Sequence, residues 1–252
     1  MILPHRFTLL LATLLITAGH ALASDNATTP WSYGKGASGP EHWGELNAAY
    51  EGCSQGSYQS PIDIRNPEKA DLPALQFGYQ VIEPFFVNNG ATVKIQVPAG
   101  QTLTLGTQRY ELQEVHFHTP SEEAFNGRRA EMVAHFVHKN ALGQLAVLAV
   151  LLQAGKPSSA YGPVFAHLPR PGEKISVEGL KLDLNSLLPA ERSYYAYSGS
   201  LTTPPCSEGV QWMIMRQTVQ IGPDQVKAFR ALFNANARPV QALNGRAVYV
   251  SD

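Results

Sequence analysis

Three histidines in the sequence have the spacing of a metal site. His116 and His118 are two residues apart in a segment with the pattern of a β-strand, so their side chains are expected on one face of that strand. His135 lies in a second predicted strand, and its imidazole reaches the pair if the two strands are neighbours. Three neutral imidazoles with one open position are the ligand set of a hydrolytic or hydrating zinc centre. Ordinary core or surface histidines are the alternative, and spacing alone leaves both open.

A zinc centre of this kind also needs a group that orients its water. Zinc lowers the pKa of bound water to about 7, and the hydroxide needs an acceptor that fixes its proton. A threonine hydroxyl held by a carboxylate can serve, because the carboxylate obliges the threonine to accept from the hydroxide. The candidates are Glu122 or Glu123 and the pair Thr202-Thr203, with solvated loop glutamates and turn threonines as the alternative.

One further histidine lies close to the third candidate ligand but is not predicted to bind the metal. His138 has the opposite parity to His135 along the same predicted strand. This parity indicates a hydrogen-bonded core histidine rather than a fourth ligand.

The elements that would hold these side chains are short β-strands. Alternating or apolar runs follow one another at close spacing, separated by turn sequences such as Asn88-Asn89-Gly90. No internal repeat or linker divides them, which favours one domain built on a mainly antiparallel sheet. The predicted strands are residues 93–97, 102–105, 110–118, 132–137 and 145–152, and the predicted helices are residues 162–168 and 222–234.

The N-terminal segment has the pattern of a secretory signal peptide. The pair His5-Arg6 precedes an apolar run over residues 7–18 and the small-residue site Ala21-Leu22-Ala23. That run is too short to span a bilayer comfortably. We therefore expect cleavage after Ala23, which divides the chain into a signal peptide, residues 1–23, and one domain, residues 24–252. The mature protein is then expected in the periplasm or outside the cell.

Charge and cysteine content limit the partners and the fold. The formal net charge is −1 at pH 7, without the run of Lys and Arg that nucleic-acid binding requires, so a small neutral or weakly charged substrate fits better. Cys53 and Cys206 are the two cysteines, and in an oxidising compartment one bridge is favoured over two free thiols. It would close a loop of about 150 residues, for which the loop-entropy model gives about 4–5 kcal/mol.

Seven motifs resemble, in their residues and their order, those of the α-class carbonic anhydrases. The resemblance extends over essentially the whole chain after the signal peptide. It implies a mainly β fold with short helices around a large, mostly antiparallel mixed central sheet. The cysteine positions also resemble the disulfide common in exported members. The motifs are Trp31-Ser32-Tyr33-Gly34, Gly39-Pro40-Glu41-His42-Trp43, Gln59-Ser60-Pro61-Ile62-Asp63, Asn88-Asn89-Gly90, His116-Phe117-His118, His135-Phe136-Val137-His138 and Gly199-Ser200-Leu201-Thr202-Thr203-Pro204-Pro205.

The resemblance implies a function and a role for each candidate residue. It implies Zn²⁺ as the cofactor and the reversible hydration of CO2 to bicarbonate and a proton by attack of zinc hydroxide. An esterase side activity is expected of any zinc hydroxide. His116, His118 and His135 are similar to the zinc ligands. Thr202 is similar to the threonine that orients the hydroxide, and Glu122 to the carboxylate that holds this threonine. The substrate-binding residues implied are Thr203, Val137, Val147, Leu201 and Trp212, and those of the water network are Tyr33, Asn88 and Asn89.

Three positions depart from the family pattern. Ala91 stands where many fast members have a histidine that exports the proton, so we expect slower turnover in low buffer. Val133 stands where a glutamate often accepts from the third imidazole, and Glu131 is one strand step further away. Glu114 stands where glutamine is frequent. Its carboxylate would strengthen the basicity of the ligand, which we hypothesise compensates in part for Val133.

Two other classes of protein fit part of the pattern. His116, His118 and Glu122 also match the first metal motif of cupins, in which the glutamate would itself bind iron or manganese. That interpretation lacks the second cupin motif and leaves residues 201–205 unexplained. A non-catalytic binding module on the anhydrase fold usually lacks a ligand histidine, and all three are present here. The sequence is compatible with a monomer or a homodimer.

Overall fold

A computed structural model describes residues 30–252 of the 252-residue chain. The predicted signal peptide, residues 1–23, lies outside this described part and stays a prediction. No helix within residues 30–252 is both long and apolar enough to cross a membrane.

The described residues form short helices and many strands. The helices are α1 Trp43–Leu46, α2 Gly52–Gln55, α3 Gly162–Ala166 and α4 Pro223–Arg230, with 3-10 turns at Ala48–Tyr50 and Leu184–Leu187. The strands are β1 Asp63–Ile64, β2 Glu68–Lys69, β3 Leu75–Gly78, β4 Val81–Ile82, β5 Phe85–Asn88, β6 Val93–Gln96, β7 Thr102–Leu105, β8 Gln108–His118, β9 Ala124–Phe125, β10 Arg128–Arg129, β11 Met132–Asn140, β12 Leu145–Ala154, β13 Lys174–Ser176, β14 Leu182–Asp183, β15 Tyr194–Ser200, β16 Glu208–Met215, β17 Val219–Ile221 and β18 Tyr249–Val250.

A mixed sheet of 13 strands dominates the fold. Its main path runs β13-β5-β6-β8-β11-β12-β16-β15-β18-β2, with β17 beside β12 and with β7 between β8 and β3. Most neighbours are antiparallel, whereas β12 is parallel to both β16 and β17, and β18 is parallel to β2. The predicted fold class, mainly β around a mostly antiparallel mixed sheet, is therefore confirmed.

The predicted elements are present, with shifted ends. Strand β7 has the predicted bounds, while β8 begins two residues earlier and β11 and β12 extend further. Both helices are shorter than predicted. Helix α4 starts with Pro223, whose fixed φ suits a first helical position, and it buries Val226 and Phe229. It ends at Arg230 and closes with a tighter turn, in which the Leu232 backbone N–H donates to the Phe229 carbonyl at 3.0 Å.

The two faces of β8, β11 and β12 have different surroundings. On one face Phe117 and Phe136 pack in the larger core, together with apolar side chains of α3 and α4. On the other face Val147 belongs to a smaller core. Because strand side chains alternate, His116 and His135 lie on this second face. Strand β12 is buried on both faces, which explains its continuous apolar run.

Candidate metal centre

Three histidines converge on the second face of the sheet. His116 on β8 is the register partner of His135 on β11, and His118 lies two residues further along β8. The ring centroids are 4.9 Å apart for His116 and His118, 5.3 Å for His116 and His135, and 4.8 Å for His118 and His135. One ring nitrogen from each lies within 4.8 Å of the others. The predicted adjacency of the two strands is confirmed, and one ion can contact all three rings.

Each ring donates its other N–H to a fixed acceptor. His116 Nδ1 lies 3.0 Å from Glu114 Oε1, and His118 Nδ1 lies 2.6 Å from the carbonyl oxygen of Asn236. His135 uses the opposite nitrogen, since its Nε2 lies 3.0 Å from Glu123 Oε1. These bonds leave Nε2 of the first two rings and Nδ1 of the third available to a metal. Such outer contacts fix the tautomer and the orientation of metal-binding imidazoles.

The chemistry of this donor set fits Zn²⁺. Among the described residues, His118 Nε2 is a buried nitrogen without a hydrogen-bond partner. Burial lowers the pKa of His116 and His118, so both rings are neutral at pH 7, as metal binding requires. Burial acts in the same direction on His135, but the Glu123 carboxylate outweighs it and raises the pKa. Three imidazoles without a fourth protein ligand match the open zinc sites of catalytic centres.

Glu122 is buried beside the histidines, in the turn that follows β8. Its Oε1 accepts from the backbone N–H of Arg238 at 2.8 Å, and its Oε2 lies 3.5 Å from His118 Nε2. Burial raises the pKa of Glu122 to about 7, although the charge on His135 and the neighbouring Thr202 hydroxyl act in the opposite direction. The fold thus brings Glu122 and Thr202 together from distant parts of the chain.

A cavity of about 230 Å³ gives access to the histidines. It has an apolar wall, in which the Trp212 ring lies 5.0 Å from that of His135. Ala91, where the family resemblance implies a proton-exporting histidine, also faces this cavity. The predicted substrate and water-network residues among its lining are Val137, Val147, Leu201, Trp212, Thr203, Tyr33 and Asn89.

Asn88, predicted in the water network, lies elsewhere. Its side chain is buried, with Nδ2 donating to the carbonyl of Pro169 at 2.9 Å and Oδ1 accepting from the N–H of Gly90 at 3.0 Å. The predicted place of Asn88 in the water network is therefore corrected, because its side chain does not line the cavity. Asn88 shapes the Asn-Asn-Gly turn, because a short amide can bond to the backbone two residues ahead.

Some contacts of the centre come from residues that had no sequence-based prediction. Lys94 on β6 is the register partner of His116, and its Nζ lies 2.7 Å from Glu114 Oε2. Its position between two buried apolar neighbours was a local signal that it faces the histidines. Asn236, whose carbonyl accepts from His118, follows α4. No local pattern indicates this contact, because it depends on the path of the chain after the helix.

The surroundings of the third imidazole differ from those expected. Val133 is fully buried in the smaller core, and the Glu131 carboxylate pairs with an arginine of α4 at 2.7 Å. Glu114 contacts His116 and not His135. The hypothesised compensation for Val133 would therefore act through the first ligand, His116, and it stays a hypothesis.

A disulfide joins Cys53 and Cys206, as predicted, with a sequence separation of 153. The Cα atoms are 5.0 Å apart. The Cys206 carbonyl also accepts from Gln59 Nε2 at 3.1 Å. The loop that carries Thr202 and Thr203 is thereby tied to the N-terminal part of the domain.

Comparisons with known proteins agree with one another. The family model for eukaryotic-type carbonic anhydrases matches residues 38–252. Carbonic anhydrases from Pectobacterium atrosepticum and Neisseria gonorrhoeae are 36% and 39% identical to this chain, covering 94% and 97% of it and 97% and 98% of their own lengths. The solved α-carbonic anhydrase of Thermovibrio ammonificans, in complex with the inhibitor sulfanilamide, is 40% identical with a TM-score of 0.84, over 88% of this chain and 99% of that chain. The chain belongs to the α-class carbonic anhydrase family.

Proposed function

We propose that this carbonic anhydrase uses Zn²⁺, held by His116, His118 and His135, to hydrate CO2 reversibly to bicarbonate and a proton. The observation that carries the proposal is His118 Nε2, buried without a hydrogen-bond partner among the described residues and within 4.8 Å of the other two donors. An unpaired buried nitrogen costs free energy, and a bound cation accounts for it. When bound, Zn²⁺ supplies Lewis-acid activation of a water molecule.

Thr202 orients the attacking water in this proposal. Its hydroxyl donates to Glu122, so its oxygen is left to accept the proton of the water, and the lone pair of the water points toward CO2. The buried Glu122 carboxylate is fixed in turn by the backbone N–H of Arg238. Thr203 and the backbone N–H of Thr202 meet the oxygen atoms of the substrate.

CO2 binds against the apolar wall, and the proton leaves on the polar side. The wall suits an uncharged molecule, because it has few polar groups that could bind water. Tyr33 and Asn89 line the cavity and hold ordered water on the way out. Ala91 cannot titrate, so the proton passes to soluble buffer rather than to a side chain.

A slow esterase activity accompanies hydration in this proposal. The water that attacks CO2 can also attack the carbonyl of an activated ester that enters the cavity. Hydrolysis of p-nitrophenyl acetate that is lost when the metal is chelated is the expected signature.

We also propose that the chain is exported to the periplasm or the cell exterior, with residues 1–23 removed as a signal peptide. The Cys53–Cys206 disulfide supports this, because such bonds persist in oxidising compartments. When the full chain is expressed in a Gram-negative host, we expect the exported protein to have the intact mass of a chain that begins at Ser24. A protein retained in the cytosol with Met1 would contradict the proposal.

The identity of the metal separates this function from that of a cupin. The cupin interpretation is already wrong at the level of the family, and the described metal-binding group contains histidines only. We expect about one zinc ion per chain in the purified protein, and neither iron nor manganese.

Histidine variants test the proposed function directly. His135→Ala should lose both zinc and CO2 hydration, whereas His42→Ala, a partly exposed histidine outside the centre, should keep both. Sulfanilamide, bound by the Thermovibrio relative, should inhibit the wild type. A His135→Ala variant with wild-type zinc content and activity would rule out the proposed centre.

A further inference from the structure

The third imidazole has a buried carboxylate partner that comes from an unexpected element. Glu123 follows β8 in the chain, and its Oε1 lies 3.0 Å from Nε2 of His135 on β11. Both side chains are almost completely buried, at 0% and 1% exposure. The family resemblance implies instead a glutamate at the position of Val133, which would accept this N–H from within the strand itself.

Among the described residues, no other carboxylate reaches Nε2 of His135, since Glu122 Oε2 lies 3.9 Å from the opposite ring nitrogen, Nδ1. Val133 packs in the smaller core, and Glu131 forms its ion pair with Arg230 at 2.7 Å. Glu114 is engaged by His116 and Lys94. Because a metal-binding imidazole needs an acceptor that fixes its tautomer, an apolar residue at position 133 makes a substitute necessary.

The backbone around Glu123 is held firmly. The Ser121 hydroxyl donates to the Glu123 carbonyl at 2.7 Å and accepts from the Ala130 N–H at 2.9 Å, which closes the turn on itself. The next residue, Ala124 in β9, pairs with β1. A carboxylate on such a fixed turn can define the direction of the bond that it accepts.

We propose that Glu123 is the positioning residue of His135, and that a carboxylate in the turn after β8 has replaced the one usually found at position 133. Glu123 Oε2 has no hydrogen-bond partner among the described residues, so the bond to His135 is the one hydrogen bond that this buried carboxylate makes there. Glu123 and Val133 form a compensating exchange, in which the acceptor moves to a different element and His135 keeps its orientation. The inference rests on the proposed zinc site.

Zinc affinity of the full chain, measured by competition with a chromogenic chelator, tests this assignment. Glu123→Ala should raise the zinc Kd by about 10- to 100-fold, the usual effect of losing an outer acceptor. Glu131→Ala, which removes a nearby surface carboxylate, is the matched control and should change Kd less than about twofold. Circular dichroism establishes that each variant is folded.

Two further variants separate positioning from general packing. Adding Val133→Glu to Glu123→Ala returns a carboxylate to the strand and should recover part of the lost affinity. Glu123→Gln keeps an oxygen acceptor without the charge and should bind zinc with an intermediate Kd. If Glu123→Ala or the double variant does not fold, the zinc Kd of the isosteric Glu123→Gln variant, compared with that of the wild type, tests the assignment.

The outcomes distinguish this inference from the proposed function. If the wild type binds zinc and Glu123→Ala binds it as tightly as Glu131→Ala, the assignment of Glu123 is overturned and the zinc site stands. A Glu123→Gln variant no better than Glu123→Ala, with no recovery by Val133→Glu, also overturns it. If the wild type itself binds no zinc, both fail.

Discussion

The three proposed ligand histidines donate to two kinds of acceptor. His118 donates to a neutral backbone carbonyl, whereas His116 and His135 donate to the carboxylates of Glu114 and Glu123. Hydrogen bonds to charged acceptors are roughly twice as strong as neutral ones, and they make an imidazole a better donor to a metal. Two of the three ligands are therefore expected to bind the metal more strongly than neutral outer contacts would allow.

Glu114 gives the first prediction at the residue scale. Its carboxylate contacts both Lys94 and His116, and together they lower its pKa to about 2 against the opposing effect of burial. Glu114→Gln removes this charge and should weaken zinc binding by up to about 10-fold. Glu111→Gln, an exposed carboxylate on the same strand, is the control for the chelator competition. Equal zinc affinity in the two variants would refute the prediction.

Ala91 gives the second prediction at this scale. A histidine there would face the cavity and titrate near neutral pH, so Ala91→His should raise CO2 hydration by about 10-fold in low buffer and little in high buffer. Stopped-flow rates at both buffer concentrations provide the measurement. Ala91→Gln, polar but unable to titrate, is the control. An unchanged hydration rate of Ala91→His in low buffer, or an equal rise in Ala91→Gln, would contradict the prediction.

At the scale of elements, the local pattern predicted the strands but not their neighbours. Alternation located β7, β8 and β11 and placed His116 and His118 on one face, because side-chain direction follows from the strand itself. The local pattern did not predict that β8 pairs with β11, and only the structure shows this pairing. The exact helix ends could not be predicted, because helix termini fray and often close with a 3-10 turn, as the chain does after α4.

His138 shows how strand parity separates histidines with different tasks. It lies on the face opposite to His135, fully buried, with Nε2 2.5 Å from the Tyr79 hydroxyl and Nδ1 3.3 Å from the Ala146 carbonyl. The carbonyl can only accept, so Nδ1 carries the proton and Nε2 accepts from the tyrosine. The predicted hydrogen-bonded core histidine is confirmed.

This arrangement predicts a pH dependence of stability. Burial lowers the pKa of His138 to about 4, below the ordinary value of about 6.5, so on acidification the unfolded chain takes up the proton first. Above pH 6.5 the protonation of His138 does not lower the free energy of unfolding. As the pH drops from 6.5 toward 4, it lowers the free energy of unfolding by about 3 kcal/mol in total. Urea unfolding at pH 7.5 and 5 should show a smaller loss for His138→Gln than for the wild type. Equal losses would show that His138 does not contribute.

At the scale of the whole molecule, the centre depends on contacts that no local pattern contains. The Asn236 carbonyl reaches His118, and the Arg238 backbone N–H reaches Glu122, from the chain after α4. The family resemblance supplied the roles of Thr202 and Glu122 before their proximity was known. It gave no indication of Glu123, because the resemblance transfers roles by position and this acceptor has moved to another element.

The disulfide gives the prediction for the whole molecule. It closes a loop across 153 residues, and the loop-entropy model gives about 4–5 kcal/mol for a loop of this size. In a chain of this length that corresponds to a fall in Tm of about 10–20 °C. Cys53→Ser with Cys206→Ser should show this fall by calorimetry, and the reduced wild type serves as a control. A Tm unchanged in both would contradict the prediction.

The most direct test of the central claim is CO2 hydration followed through removal and return of the metal. The purified wild type is assayed in high buffer as isolated, after chelation, and after stepwise addition of Zn²⁺. The proposed centre predicts that activity disappears with the metal and returns in proportion to bound zinc, with saturation at about one ion per chain. Activity that persists without zinc, or protein that holds a full complement of zinc and remains inactive, would contradict the account.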